Sequence, residues 1–232
     1  MCKCLIIALI FGLHEGEFGG GVGFIKGYYF MSGITGFMRG LSPMWENIFE
    51  GENISPILSI TGIKGYVYIK HRFKLGIMAN KGLTRASVAF DTLYYSCLFS
   101  IDYWTFLMEY SPVRQVGFEM IFNIGLGTGN ATLNLLKIRR LPCWEEICEN
   151  EEDGWGSSEL YADFGNLTLG IELLFPIISC FKIGLGGGLI YSKIPFGSWY
   201  LHRRGYRVPD SKGVNLEGFT FTITIAFDRR NF

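Results

Sequence analysis

The residues of this chain best suited to chemistry lie in two polar stretches, an acidic one at 143–153 and a basic one at 202–207. The first, CWEEICENEED, has four residues between its cysteines, Cys143 and Cys148. In an exported protein these two thiols could close a small disulfide or stay unlinked, because so tight a loop needs favourable geometry. A metal site is disfavoured, since neither a histidine nor a second cysteine pair accompanies the nearby acids.

Both stretches carry blocks of like charge. The acidic block consists of Glu145, Glu146, Glu149, Glu151, Glu152 and Asp153, and the basic block contains His202, Arg203, Arg204 and Arg207. Charge blocks usually form solvated faces. If both blocks emerge at one end of the fold, we expect them to pair across its mouth or to contact surface polysaccharide or divalent ions.

Motifs for catalysis and cofactor binding are absent from the sequence. The only histidines are His14, His71 and His202, and neither G-x-S-x-G nor H-E-x-x-H occurs. The glycine-rich segments GLGTGN and GLGGGLIYS lack the Lys-Ser/Thr of a phosphate loop. We therefore predict no catalytic, cofactor or metal residues. A lipid hydrolase at a barrel rim is the enzymatic alternative, because catalytic triads assemble in space and leave little trace in spacing.

Other ionisable residues fall inside strand-like segments. Four are isolated acids: Asp91, Glu109, Glu119 and Glu172. We expect them to point into a polar lumen or to pair with Lys64, Lys74 or Lys182. Cys97 and Cys180 also fall inside such segments, where a small buried thiol is the default interpretation.

Composition favours a β-rich fold and disfavours a nucleic-acid partner. The 21 basic and 21 acidic residues leave no global positive field. The 20 Phe, 12 Tyr and 31 Gly suit strands and tight barrels.

Alternating apolar residues predict nine strands along one continuous domain. The segments are 17–30, 56–70, 72–80, 85–100, 103–111, 115–136, 161–175, 179–191 and 216–227. Short connections such as KHR, SID, SPVR and FPII require antiparallel neighbours. Residues 31–55, 137–160 and 192–215 form longer connections, and the first contains a candidate helix at 34–50, broken at Pro43.

Nine strands do not close a simple antiparallel barrel, which needs an even number. One solution is a turn at 127–130, which would divide the segment 115–136. The other is that the helix at 34–50 carries the chain across the sheet, so that the first two strands run in the same direction. The second solution places the two later long connections at one end.

The first fourteen residues are predicted to be an export signal. An apolar run at 5–13 follows Lys3, and it is too short to span a bilayer as a helix. The alternative is a buried N-terminal strand. We expect residues 15–232 to form a single β-barrel domain.

The sequence resembles the small bacterial outer-membrane β-barrel proteins. The resemblance rests on the export signal, the first strand FGGGVGFIKGYYF, the linked pair FGNLTLGIELLFPIISCFKIGLGGGLIYS and the closing strand before Phe232. It implies an all-β, closed antiparallel transmembrane barrel of about eight to ten strands, with a short helical segment in the first long connection. It also implies a bilayer environment in the outer membrane and insertion by a barrel-assembly machinery. Phe232 departs from the pattern, because it shares the parity of Asp228 and Arg230 instead of that of Phe227.

The predicted function is correspondingly coarse. A barrel of this size favours a structural or adhesive role, or binding or passage of a small apolar solute, over a wide general porin. Lipopolysaccharide and a small apolar ligand are candidate partners. The alternative is a soluble, exported, lipocalin-like barrel that binds an apolar ligand, and the direction in which the apolar face points distinguishes the two.

Overall fold

A computed structural model describes most of the chain as antiparallel sheet. The described residues are 19–31, 33, 57–70, 72–90, 93–115, 117–138, 155–178, 180–195, 198–201, 205–208 and 213–229. In these ranges no helix is long and apolar enough to cross a membrane. The helical segment expected at 34–50 and the export signal expected at 1–14 lie outside them.

Eight long strands form the framework: β1 (Gly20–Met31), β2 (Ile57–Lys70), β3 (Phe73–Phe90), β4 (Leu93–Arg114), β5 (Glu119–Ile138), β6 (Trp155–Ile178), β7 (Phe181–Ile194) and β11 (Gly218–Arg229). Three two-residue strands lie between β7 and β11, namely β8 (Tyr200–Leu201), β9 (Tyr206–Arg207) and β10 (Val214–Asn215). Alternation of large apolar and small or polar residues explains why these segments become strands with two distinct faces.

The eight long strands close into a ring. Neighbours in sequence pair from β1 to β7, β7 pairs with β11, and β11 pairs with β1. Partners can be followed around the ring from Leu173 through Leu185, Ile223, Lys26, Thr61, Lys81, Asp102 and Asn130 to Asp163. After one circuit the path returns to β6 at Asp163, which is ten residues nearer the start of that strand than Leu173. That stagger corresponds to a strand tilt of roughly 40°, within the usual range for barrels.

The closed antiparallel barrel and its strand number confirm the predicted fold class, but both proposed solutions to the odd number of predicted strands are wrong. Residues 127–130 lie inside β5, and β1 and β2 are antiparallel. The nine segments become eight because three of them fall in two long strands, β3, which ends at Phe90, and β4, which begins at Leu93. The predicted turn SID is instead a paired part of β4, where Asp102 lies opposite Lys81 and Asn130.

The two ends of the barrel differ. Short turns join β2 to β3, β4 to β5 and β6 to β7, and β1 starts and β11 finishes at this same end. The opposite end carries the long connections 32–56, 139–154 and 195–217. We call these the short-turn end and the long-loop end. Outer-membrane barrels have short periplasmic turns and long extracellular loops, so the long-loop end corresponds to the cell exterior.

Inward-facing glycines allow the strands to approach closely. A Cβ added at Gly127 would lie 1.9 Å from the carbonyl oxygen of Trp104, whereas one added at the outward Gly65 meets nothing within 4 Å. Backbone cannot yield as a flexible side chain can. The glycines thus relieve crowding in a narrow barrel, as glycine in a strand interior often does.

We expect Gly127→Ala to lower the free energy of unfolding by about 1–3 kcal/mol, because the methyl group forces β4 and β5 apart. Urea unfolding of the protein in lipid vesicles measures this change. Gly65→Ala is the matched control and should differ little from the wild type. Equal stability of both variants would mean that the close approach at Gly127 has no energetic consequence.

Candidate functional site

The outer face of the barrel is an apolar belt. Side chains of alternate residues point outward, and large apolar ones are well exposed on every long strand: Leu126 is 66% exposed, Phe24 54% and Ile223 45%. On β7 the belt runs over the eleven residues from Phe181 to Tyr191, and these ten residue steps span roughly 25 Å along the barrel axis at this tilt. That is the height of the apolar band of outer-membrane barrels.

Aromatic residues border the belt at both ends. Toward the short-turn end the outward side chains include Phe73, Tyr110, Phe122, Phe175, Phe181 and Phe227, with ring centroids 4.9 Å apart for Phe73 and Tyr110. Toward the long-loop end they include Tyr28, Phe30, Trp104, Tyr191 and Phe219. Aromatic rings favour the membrane–water interface, so these two girdles mark its position on each side.

Polar residues bound the belt on the long-loop side. In β3 to β6 the change occurs along one register row, formed by Lys81, Asp102, Asn130 and Asp163. Beyond this row the outward side chains are mainly polar, and Arg85 donates hydrogen bonds to Ser96 and Tyr94 at 3.3 and 3.1 Å. The outer face is therefore apolar on the short-turn side of this row and polar on the long-loop side, as expected where a barrel passes from lipid into water.

The interior near the short-turn end contains a buried ionic network. Lys64 from β2 lies between Glu109 from β4 and Glu172 from β6, with Nζ to carboxylate distances of 2.9 and 2.6 Å. All three residues are buried. The sequence-based prediction that these acids point inward and pair with lysine is confirmed.

A second part of the network lies beside the first. Glu119 accepts from Lys182 at 3.2 Å and lies 3.0 Å from the Nζ of Lys74, and Lys182 also donates to Asp228 at 2.6 Å. The hydroxyl of Tyr68 donates to the same Asp228 carboxylate at 2.7 Å.

Tyr66 joins the two parts of the network. Its ring centroid lies 5.7 Å from the Nζ of Lys64 and 5.0 Å from that of Lys74, within the range of cation–π contacts. We call Lys64, Lys74, Lys182, Glu109, Glu119, Glu172, Asp228, Tyr66 and Tyr68 the lumen network.

The lumen network supports a structural role. Each of its four carboxylates lies within 3.2 Å of a lysine, so all four are held in buried ion pairs that tie different strands together. Beside it is a cavity of about 70 Å³, bordered by Asn80, Thr168 and the Lys64 cluster. That volume holds a few water molecules and is far below the 300–1,000 Å³ typical of ligand pockets.

An apolar core fills the interior toward the long-loop end. Its members include Tyr29, Phe99, Tyr103, Leu133, Phe164 and Trp199. Trp199, Val214 and Leu216 come from the connection between β7 and β11, and Trp199 is only 1% exposed. The hydroxyl of Tyr29 donates to the carbonyl of Leu216. The last connection is therefore packed into the mouth of the barrel.

Part of the sheet continues beyond the belt. Pairing of β2 with β3 stops at Ser59 and Leu83, but β3 and β4 stay paired to Phe90 and Leu93. β5 and β6 stay paired to Ile138 and Trp155, and β8 pairs with β6 and with β9. We call the parts of β3 to β6 beyond the polar row, together with β8 and β9, the projecting wall.

Most of the predicted site residues lie outside the described ranges. These are Cys143, Cys148, Glu145, Glu146, Glu149, Glu151, Glu152, Asp153, Arg203 and Arg204, together with Asp91, the three histidines and Phe232. Arg207 is described, and it lies exposed on β9 opposite Tyr200. Cys97 is buried as expected, but the expectation for Cys180 is wrong, because this residue lies exposed in the turn between β6 and β7.

Sequence reasoning missed several residues that the fold brings together. Asp228 lies just beyond the last predicted strand segment, 216–227, although it shares the inward parity of Thr224 and Ala226. Lys26 has the outward parity of Phe24 and Tyr28, so alternation would have placed it on the apolar face. Trp199 carries no local signal, since its burial depends on how the last connection folds.

The comparisons with known proteins return structures but no families. No protein-family model and no curated protein matches the chain. Among solved structures, Ail, the attachment invasion locus protein of Yersinia pestis, has 12% identity and a TM-score of 0.41 over 93% of this chain and 100% of its own. The N-terminal β-barrel domain of Pseudomonas aeruginosa OprF has 9% identity and a TM-score of 0.39 over 91% and 97%. The outer membrane protease OmpT from Escherichia coli has 8% identity and a TM-score of 0.38 over 93% and 97%.

The chain's own geometry carries the assignment, since these similarities are low. Its eight long strands close into a ring, its apolar belt faces outward between two aromatic girdles, and its long connections lie at one end. These features are those of the outer-membrane class. They do not fit the soluble lipocalin-like alternative, whose apolar side chains would converge inward. The protein has the architecture of a small bacterial outer-membrane β-barrel.

Proposed function

We propose that the protein is a non-conducting outer-membrane barrel that acts in recognition or adhesion at the cell surface. The projecting wall is the observation that carries this proposal. It continues the membrane-spanning sheet into water, and the packing of Trp199 beneath it holds the last connection in place. A surface fixed in this way loses little conformational entropy when it binds a partner.

The edge of the projecting wall formed by β8 and β9 has a composition suited to binding. Tyr206 is 68% exposed and Tyr200 40%, and Arg207 lies beside them on β9. Tyrosine and arginine dominate binding hot spots, because they combine a large contact area with directional hydrogen bonds. We define Tyr200, Tyr206 and Arg207 as the edge patch and expect it to contact a macromolecule outside the cell.

The interior supports a closed barrel more than one that passes solutes. The lumen network crosses it near the short-turn end, and the apolar core fills it near the long-loop end. We likewise propose a non-enzymatic role, since the inward carboxylates of the described strands are held by lysines. We therefore propose surface recognition in preference to passage of a small apolar solute.

The route to the membrane is part of the same proposal. Residues 1–14 would direct export, residues 15–232 would form the single barrel domain, and a barrel-assembly machinery would insert it. Lipopolysaccharide, as a component of the outer leaflet, is then a natural neighbour of the apolar belt.

Two measurements test the proposed function. Purified barrel in a planar bilayer is expected to give no stable ion conductance. Bacteria that display the protein should adhere to wells coated with extracellular-matrix proteins or sulfated polysaccharide more than bacteria that carry an empty vector. The variant Tyr200→Ser/Tyr206→Ser/Arg207→Gln should lose several-fold of that adhesion, because it removes the aromatic and guanidinium contacts.

Controls separate loss of binding from loss of folding. The variant should keep the heat-modifiable gel mobility of a folded barrel, and Lys193→Met, which changes an exposed lysine of β7 outside the edge patch, should adhere like the wild type. Steady conductance by the wild type would overturn the closed-barrel part of the proposal. Adhesion equal to that of the empty vector on every coating would overturn the adhesive part.

A further inference from the structure

One charged residue interrupts the apolar belt. The outward positions of β1 are Val22, Phe24, Lys26, Tyr28 and Phe30, and in the register Lys26 lies between Ile223 and Thr61. A charged side chain that faces lipid is costly and marks a functional site unless a partner compensates it.

Two hydroxyl groups compensate Lys26 only in part. Its Nζ donates to the Oγ of Ser59 at 3.1 Å and to the Oγ1 of Thr61 at 3.0 Å. An ammonium group has three protons to donate, so one remains available. Within the described part of the chain, Lys26 forms no ion pair with a carboxylate.

The hydroxyls also determine where the ammonium group points. Ser59 is one outward position nearer the long-loop end than Thr61. The side chain of Lys26 therefore reaches from the belt toward the outer interface, as lysines near a membrane surface do when they snorkel. Phosphate groups of membrane lipids lie at that interface.

A second lysine adjoins the same position. Thr61 lies opposite Lys26 on one side and Lys81 on the other, so the two lysines are two strands apart, roughly 10 Å between Cα atoms. Lys81 lies 3.8 Å from Asp102, and their side chains are 66% and 45% exposed. An exposed pair of this kind is weak, so Lys81 is able to turn toward another anion.

We propose that this part of the outer face binds the phosphate group of an outer-leaflet lipid. We call it the lysine–hydroxyl site, and it consists of Lys26, Ser59, Thr61 and Lys81. The two lysines supply positive charge and Thr61 supplies a hydroxyl between them, while Phe24 and Tyr28 lie beside the acyl chains. Lysine binds phosphate as a point charge, and the attraction strengthens where lipid displaces water. The inference depends on the outer-membrane placement but not on the adhesive role.

Native mass spectrometry of the detergent-solubilised barrel tests the site, with lipid A, phosphatidylglycerol and dephosphorylated lipid A as separate probes. Lys26→Met keeps the length of the side chain and suits the apolar belt. We expect it to bind lipid A roughly fivefold more weakly than the wild type, the factor that one lysine contributes at a membrane surface. Thr61→Val should weaken binding in the same direction, and Lys193→Met should bind like the wild type.

The probes identify the source of the phosphate. A difference between wild type and Lys26→Met with lipid A only points to the phosphates of lipopolysaccharide, and the same difference with phosphatidylglycerol points to anionic lipids in general. Either result supports a phosphate site. Equal binding by wild type and Lys26→Met with both lipids overturns it, as does a difference that persists with dephosphorylated lipid A. Because the readout requires only a folded barrel, its failure is distinct from failure of the adhesion test.

Discussion

Replacing Lys64 with methionine is expected to lower the free energy of unfolding by about 3–5 kcal/mol. Lys64 is the cation shared by Glu109 and Glu172, and its side chain is 5% exposed. Methionine fills a similar volume but removes the cation that lies between two buried carboxylates. Urea titration of the barrel folded into vesicles measures the loss.

Two further variants make this prediction specific. Lys81→Met removes a lysine whose pair with Asp102 is exposed, and it should cost less than about 1 kcal/mol. The triple variant Lys64→Met/Glu109→Gln/Glu172→Gln removes the uncompensated charge and should recover a large part of the stability lost in Lys64→Met. If Lys64→Met proves as mild as Lys81→Met, the lumen network does not stabilise the barrel.

Placing arginine at position 124 is expected to destabilise the barrel by about 2–4 kcal/mol. Ile124 points outward from the middle of the belt on β5 and is 47% exposed. If this face were in water, the same change at an exposed isoleucine would alter the free energy of unfolding by no more than about 0.5 kcal/mol. In a bilayer the guanidinium must enter hydrocarbon, so the size of the effect reports the surroundings of this face.

Thr132→Arg is the matched control for Ile124→Arg. It lies on the same strand and the same outward parity, but beyond the polar row at Asn130. We expect its unfolding free energy in vesicles to stay within about 0.5 kcal/mol of the wild type. Equal, small effects at both positions would contradict a membrane location for the belt.

The division of the chain into strands was predicted only in part. Lys81 and Asp102 fall in the short connections that the sequence predicts between the segments 72–80, 85–100 and 103–111, yet both lie in the middle of long strands. They remain in the sheet because β3 and β4 continue past the membrane into water, where a polar outward side chain is not costly. A prediction that expects each strand to be only as long as the apolar belt therefore divides one long strand into two short ones.

Pairing inside the lumen shows the opposite outcome. Alternation correctly placed Glu109, Glu119 and Glu172 on inward faces and suggested lysines as partners. The particular pairs did not follow, since Lys64 and Glu172 are 108 residues apart in the chain. Asp228 belongs to the network because the closing strand β11 pairs with β1 and β7, which the local sequence does not reveal.

The sequence by itself determined which face of each strand every residue occupies, because the period of two is a local property of the extended chain. From that followed an apolar face on each strand, the acids on the opposite face and the fold class, whereas the outward direction of the apolar face came from the structure. Only the tertiary structure decided the count of eight, the ten-residue stagger, the partners of each lysine and the burial of Trp199. These depend on the register between strands distant in sequence and on closure of the ring, which no local pattern encodes.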